Sequence, residues 1–541
     1  MHSKRRSKLP VLLLAVFAIT ATLLTVSALA QFPDKTRTPN AANEGINKSF
    51  TQQIGAGRGS VNTPGSSLFI INRDPARAIR RGRQVFQRKF VRSQGQGPLF
   101  QDGLGTLTHQ NRALGAGLAD SCAACHAMPR GSAGAGGDVV TRPDSRNAPH
   151  LFGLGLKEML GDEITADLRA IRDDAVNDAR RERRDQVRNL NSKGINYGRI
   201  IADVDSRGNV RVDTSQVDGV NADLRVRPFF LEGETISIRE FLVGAFQAEM
   251  GLQPIDPDLA LAQGGARVVT PAGMVLDGRT DRIEVAFEQD ATTDGDGDAV
   301  VNEIPQSIVD FMEFYLLNYF KAGTYRQTSS VATGRSLFTQ IGCAQCHIPD
   351  LQINRDRRVA DVETVFDIER GHFNDLFATA TTLFTEVNDP GPHPTLKRAT
   401  GAPFLVRNIF TDFKRHDLGP NFHEITYDTT GPSTLHKEFL TTPLWGVGTT
   451  APYGHDGRST NLREVIKRHG GEAINSRNAF VNLSDANEDH ILNFLNSLIL
   501  FPPDDTASNL NPGDPNTPGF PQFGHGSINL TALFNDPSDV E

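Results

Sequence analysis

Four cysteines fall in two short runs, Cys122-Ala123-Ala124-Cys125-His126 and Cys343-Ala344-Gln345-Cys346-His347, and the chain has no others. Each run sets two thiols three positions apart with an imidazole directly after them. That spacing suits covalent attachment of a c-type haem. Each thiol adds to one vinyl group on the same edge of the porphyrin, and the neighbouring histidine ligates the iron from the proximal side. A single run could be half a zinc site or a redox dithiol. Two complete copies with no spare thiol fit neither reading. Cys122, Cys125, Cys343 and Cys346 are therefore read as thioether anchors. His126 and His347 are read as proximal ligands of two covalently bound haem c groups.

A length of 541 residues leaves room for two or three domains, each with its own core. A net charge of -8 argues against a nucleic-acid partner. The first residues read as an address. Lys4, Arg5, Arg6 and Lys8 form a basic start, Val11 to Val26 is almost wholly apolar, and Ala28-Leu29-Ala30 before Gln31 is a small-residue cleavage site. Residues 1–30 are thus expected to be a signal peptide, with no stable membrane span after cleavage. The length of the apolar run leaves a transmembrane anchor as the other reading. Bacterial cytochromes c receive haem outside the cytoplasmic membrane, so export to the periplasm and the CxxCH runs support each other.

The expected fold is mainly α, with two cytochrome c-like domains, each carrying one covalent haem, plus extended loops and a small β-hairpin insertion. Residues 31–75 read as a flexible polar arm. Residues 76–325 form the first haem domain and 326–502 the second. Residues 503–541 are a tail rich in Pro, Asn and Asp. Helical spacing marks Asp74–Arg92, Ile236–Met250, Ile304–Tyr319, Ala332–Phe338 and Asp485–Leu500. Asp162–Leu190 reads as a solvated charged helix, and Ile195–Val212 as a hairpin turning at Ser206–Asn209.

Asp294, Asp296 and Asp298 alternate in an acidic loop, as at the start of an EF-hand. Ala299 stands where such a loop needs glycine, and Pro305 where it needs glutamate. The loop is either a shortened Ca2+ site or a plain acidic turn before the next helix.

The second axial ligand decides between carrier and catalyst. No methionine follows His347, so the second iron must use histidine, a weaker group or nothing. For the first iron, Met128 lies too close behind His126 to reach the opposite face. His150 and Met159 are far enough away. His150 could equally be a hydrogen-bonded loop residue.

Several blocks carry a family resemblance. They are Thr442–Val447, Ala451-Pro452-Tyr453-Gly454-His455-Asp456-Gly457-Arg458, Leu462–Ile466, His469-Gly470-Gly471-Glu472-Ala473 and Phe413–Gly419, with Gly153–Leu156 and the acidic loop. Together they resemble the bacterial dihaem cytochrome c peroxidase and MauG superfamily, most closely its dihaem oxidoreductase (thiol oxidoreductase-like) branch. The likeness spans about residues 76–502. It implies an exported, peroxidase-like oxidoreductase in which peroxide reacts at the first haem and the second relays electrons. A small cytochrome or cupredoxin would be the partner. In the peroxidases the distal ligand of the second haem lies just after the His-Asp-Gly segment and is usually methionine. That place falls here on His469, which implies a His347/His469 pair and a lower potential. The glycines after His469, Gly470 and Gly471, also allow it to be a plain helix cap. On the same likeness His455 falls near the haem edge and His416 near the inter-haem region. The other readings are a non-enzymatic periplasmic electron-transfer cytochrome and an oxidase of a protein or thiol partner.

Overall fold

A computed structural model describes residues 49–97, 119–126, 147–285, 290–319, 323–324, 327–359, 403–426 and 434–499. The expected signal peptide and the C-terminal tail lie outside the described residues, as do Met128 and the arginines at 130, 142 and 146. No helix among the described residues is long and apolar enough to cross a membrane.

The first half comprises α1 (Phe50–Ile54), α2 (Ser67–Arg73), α3 (Pro75–Gln87), α4 (Cys122–His126), α5 (Leu154–Glu182), α6 (Ile238–Met250), α7 (Pro257–Gln263) and α8 (Gln306–Asn318). Helix α3 starts where Pro75 fixes the backbone and Asp74 Oδ1 accepts from the Arg77 amide at 3.1 Å. Its residues Ala78, Ile79, Val85 and Phe86 are buried. It crosses α8 at Gly82, where a Cβ would stand 2.3 Å from the Phe311 carbonyl oxygen, so only glycine permits the approach.

Helix α8 is buried on every side, at each position from Ser307 to Asn318. Its two carboxylates are neutralised in place. Arg239 Nη1 lies 2.9 Å from Asp310 and 2.7 Å from Glu313, while its Nε lies 2.6 Å from Asp256. A buried charge persists only when paired and hydrogen-bonded in this way. The same hub orders the described end of the polar arm. Ser67 Oγ donates to Asp310 at 2.6 Å, and Arg58 reaches Asp258 at 2.6 Å. Residues 49–73 are therefore structured, in contrast to the flexible arm expected over 31–75.

Helix α5 is longer and better packed than its charge suggests. Leu156, Leu160, Ile164, Leu168, Ala175 and Ala179 make a continuous buried stripe. It stops at Glu182, and Gln186–Ser192 is strand β1 rather than helix. Strands β2 (Ile195–Val204) and β3 (Val210–Asp213) form the expected hairpin, and β1 pairs antiparallel with β2.

The second half contains α9 (Ser329–Gln340), α10 (Leu462–Arg468), α11 (Ile474–Val481) and α12 (Asp485–Asn496). Helices α9 and α12 touch at Gly334, where a Cβ would stand 1.9 Å from the His490 carbonyl oxygen. Phe338, Phe410 and Phe494 meet edge-to-face, with centroids 5.4–5.8 Å apart. Each such buried ring contributes about 1.5–3 kcal/mol. This second core is smaller than the expected domain at 326–502. Leu351, Ile353, Val406, Ile409, Phe413 and Trp445 pack into the first core instead.

Candidate functional site

In the first CxxCH run, one turn of α4 places the Cys122 and Cys125 thiols on one face with His126 directly after them. His126 Nδ1 lies 2.7 Å from the carbonyl oxygen of Pro149. A carbonyl can only accept, so Nδ1 carries the proton and Nε2 keeps its lone pair. Burial lowers the His126 pKa, with the Pro149 carbonyl opposing. Burial, and then the neighbouring Cys125, pushes the Cys122 thiol up to about 12.

The second run repeats these features on a tighter turn. Cys343–Gln345 is a single 3-10 turn entered through Gly342 at φ 93°. His347 Nδ1 lies 3.1 Å from the Phe410 carbonyl oxygen. Burial pushes His347 down to about 4, with the Phe410 carbonyl opposing and the charge of nearby His469 adding to the shift. His469 ends α10, as its two following glycines suggested. Its Nδ1 lies 2.7 Å from the Val465 carbonyl oxygen, and Phe422 meets its ring edge-on at 5.4 Å. The cap geometry and a ligand role are thus compatible in one residue. None of the four cysteines is disulfide-bonded. Unbridged thiols on short helical turns, each pair followed by a histidine with an open Nε2, fit the needs of a covalently held haem.

A hydrogen-bonded cluster surrounds the second run. His416 Nε2 lies 2.9 Å from Asp412 Oδ2, and its Nδ1 2.7 Å from Glu472 Oε2. Burial works against charging His416, but Asp412, Cys346 and Glu472 outweigh it and lift the group to about 11. Cys346, Asp412 and His416 bring their ligating atoms within 4.8 Å of one another. Sequence reasoning put His416 near the inter-haem region but missed Asp412 and gave Glu472 no role. Their partners lie 4 and 56 residues away, and only Glu472 stood in a quoted motif. His455, read as near the haem edge, pairs through Nε2 with Glu424 at 3.0 Å and stacks on Phe439 at 4.1 Å. Asp456 beside it holds Arg468 through both carboxylate oxygens, at 3.1 and 2.6 Å.

The segment 147–150 joins the two runs. The Asn147 amide donates to the His455 carbonyl at 2.8 Å, and Asn147 Nδ2 to that of Pro452 at 3.3 Å. His150 bonds to the Trp445 backbone, its Nδ1 is buried without a hydrogen-bond partner, and burial, followed by the charge of Lys157, pushes it down to about 3. Leu444, next to Trp445, donates its amide to the Ile409 carbonyl at 2.9 Å, one residue from the carbonyl that holds His347. Met159, the other candidate for the first iron, is buried in the first core, and its sulfur accepts from the Arg357 amide at 3.3 Å. It is committed to packing, which removes it as a ligand.

In the acidic loop, carboxylate oxygens of Asp294, Asp296 and Asp298 lie within 4.8 Å of one another. They also fold the loop themselves. Asp294 accepts from the Gly297 and Ala299 amides at 2.7 and 3.0 Å, and Asp298 from the Val300 amide at 2.6 Å. That is how a plain Asx turn is built.

Among solved structures, the chain is similar to a MauG-like protein associated with microbial copper homeostasis. The identity is 14%, the TM-score 0.28, and the match covers 84% of this chain and 97% of that one. It is also similar to Kuenenia stuttgartiensis hydrazine synthase, at 15% identity and TM-score 0.22, over 38% of this chain and 59% of that one. No curated protein matches. Residues 384–498 match the family described as "Di-haem oxidoreductase, putative peroxidase", a stretch that takes in the Phe413–Gly419, His-Asp-Gly and His-Gly-Gly-Glu-Ala blocks. The likeness to that family is carried by this segment, about a fifth of the chain.

Proposed function

We propose that the protein is an exported dihaem c-type cytochrome with peroxidase-like activity, held by Cys122, Cys125 and His126 at one site and Cys343, Cys346 and His347 at the other. The observation that carries this reading is the repeated histidine geometry. His126, His347 and His469 each spend Nδ1 on a backbone carbonyl, which fixes the ring and presents Nε2. The placement of His469 beside His347 supports a bis-histidine second iron.

Haem iron, when bound, supplies one-electron chemistry and, at an open coordination position, a place where peroxide is reduced. The chain's own residues do the rest. Pro149 and Phe410 orient the proximal imidazoles. Burial keeps His347 neutral and able to ligate. We read His150 as a wall residue rather than the distal ligand. It follows the residue that holds the back of His126 and is fastened to Trp445. On this reading the group held at His126 would supply the reactive position, and the group held between His347 and His469 would accept electrons from a small periplasmic cytochrome or cupredoxin. The segment 147–150, with Trp445 and Leu444, is a short bonded route between them.

The test is the ferric spin state of the purified protein. One high-spin and one low-spin haem, with the high-spin signal shifting on cyanide or peroxide, is the expected result. Two low-spin haems indifferent to both additions would make the protein an electron carrier instead.

A further inference from the structure

We propose that Glu472 is the positioning residue of the second iron site, tying the strap that carries His469 to the strand that follows Phe410, whose carbonyl holds His347. This rests on the His347/His469 reading above.

His347 and His469 are 122 positions apart, and a ligand pair needs its two rings set against each other within a few tenths of an ångström. The His347 side is fixed at Phe410, whose carbonyl oxygen lies 3.1 Å from Nδ1. The chain then runs through Asp412 to β4 (Arg415–Asp417). Glu472, three residues beyond His469, reaches back with both carboxylate oxygens. Oε2 lies 2.7 Å from His416 Nδ1, and Oε1 accepts from the Asp417 amide at 2.9 Å. His416 is anchored in turn to Asp412 at 2.9 Å and is itself nearly buried. The Gly470 amide closes the seam on the Leu418 carbonyl at 2.9 Å. Gly471 passes so near β4 that a Cβ would stand 2.0 Å from the Asp417 carbonyl oxygen, at a backbone φ of 47°. The His-Gly-Gly-Glu run thus has a mechanical reading. The glycines let two backbones touch, and the glutamate locks them. Bidentate, charge-assisted bonds of this kind are the strong and directional ones.

The experiment compares ferric spectra of the holoprotein and its His469→Ala, Glu472→Ala, Glu472→Gln and His416→Gln variants, with covalent haem per chain measured on each. Glu472→Ala should raise the high-spin fraction of the second haem about tenfold, the equivalent of one charge-assisted hydrogen bond. Glu472→Gln, which keeps an acceptor for the Asp417 amide, should fall between it and the parent. Added imidazole should restore the low-spin spectrum while haem content stays unchanged. A Glu472→Ala spectrum identical to the parent, with His469→Ala altered, overturns the positioning role alone. A parent spectrum unmoved by His469→Ala overturns the bis-histidine reading beneath it. If Glu472→Ala loses haem, the Glu472→Gln and His416→Gln spectra decide. No high-spin rise in either overturns the proposal.

Discussion

The amide of Asn147 donates to the carbonyl of His455 at 2.8 Å, and this bond ties the segment behind the first CxxCH run to the His-Asp-Gly turn of the second half. Within the same segment Pro149 holds His126 and His150 holds the Trp445 backbone. One short stretch of chain therefore orients the first histidine and forms the wall towards the second.

Replacing Cys346 with alanine should remove one thioether at the second run and lower covalent haem by about half, because the first run is untouched. The second core, which packs Cys343 and Ala344 at its edge, should lose stability with it. Pyridine haemochrome absorbance per chain and a thermal melt would check both. Unchanged haem content would contradict the assignment.

His469→Ala should convert one haem to high spin while both remain covalently attached. Ferric absorption and low-temperature electron paramagnetic resonance report the spin state directly. Substitution of His150 should leave the second-haem signal unchanged, since His150 lies within electrostatic reach of His126, the histidine of the first run.

Trp445→Ala should cost about 3–5 kcal/mol of unfolding free energy, the usual range for emptying a large aromatic site in a core. Trp445 is only 2% exposed, and its neighbours come from both halves. Denaturant titration of the holoprotein would measure the loss. A change below about 1 kcal/mol would mean that the site collapses around the gap.

Burial raises the Glu240 carboxyl from 4.5 to about 7, against hydrogen bonds from Ser237 and the Glu284 and Ile236 amides. Its folded pKa lies above its unfolded one. Between those values the folded protein holds a proton that the unfolded chain has released, so this group's share of stability falls as pH rises from about 4.5 to about 7. The fall is about 3 kcal/mol at most. Urea unfolding across that range, compared with Glu240→Gln, isolates the contribution. The variant's slope with pH should be flatter.

Much of this was legible from the sequence because it is local. The helices at 75–87, 238–250, 306–318 and 485–496 follow periodic apolar residues, and each CxxCH run sets its thiols and its histidine within five consecutive residues. Strand β1 was not legible, because its alternation is inverted. Val187 faces outward and is 51% exposed, while polar Gln186 and Ser192 point inward. The order of residues 49–73 was hidden for a related reason. It depends on Ser67 and Arg58 finding acids more than 190 positions away. At the candidate site, the side chains carrying the chemistry were visible in motifs. The groups that aim them were not, because Pro149, Phe410 and Val465 act through backbone carbonyls that any residue possesses.

The sharing of one core by both halves has a practical meaning for anyone wishing to dissect the molecule. A gene fragment stopped near residue 325 would lack Leu351, Ile353, Val406, Ile409, Phe413 and Trp445, and so would present an uncovered greasy wall to water. The two CxxCH-bearing halves are therefore expected to fold as one piece, and either half expressed alone is expected to aggregate.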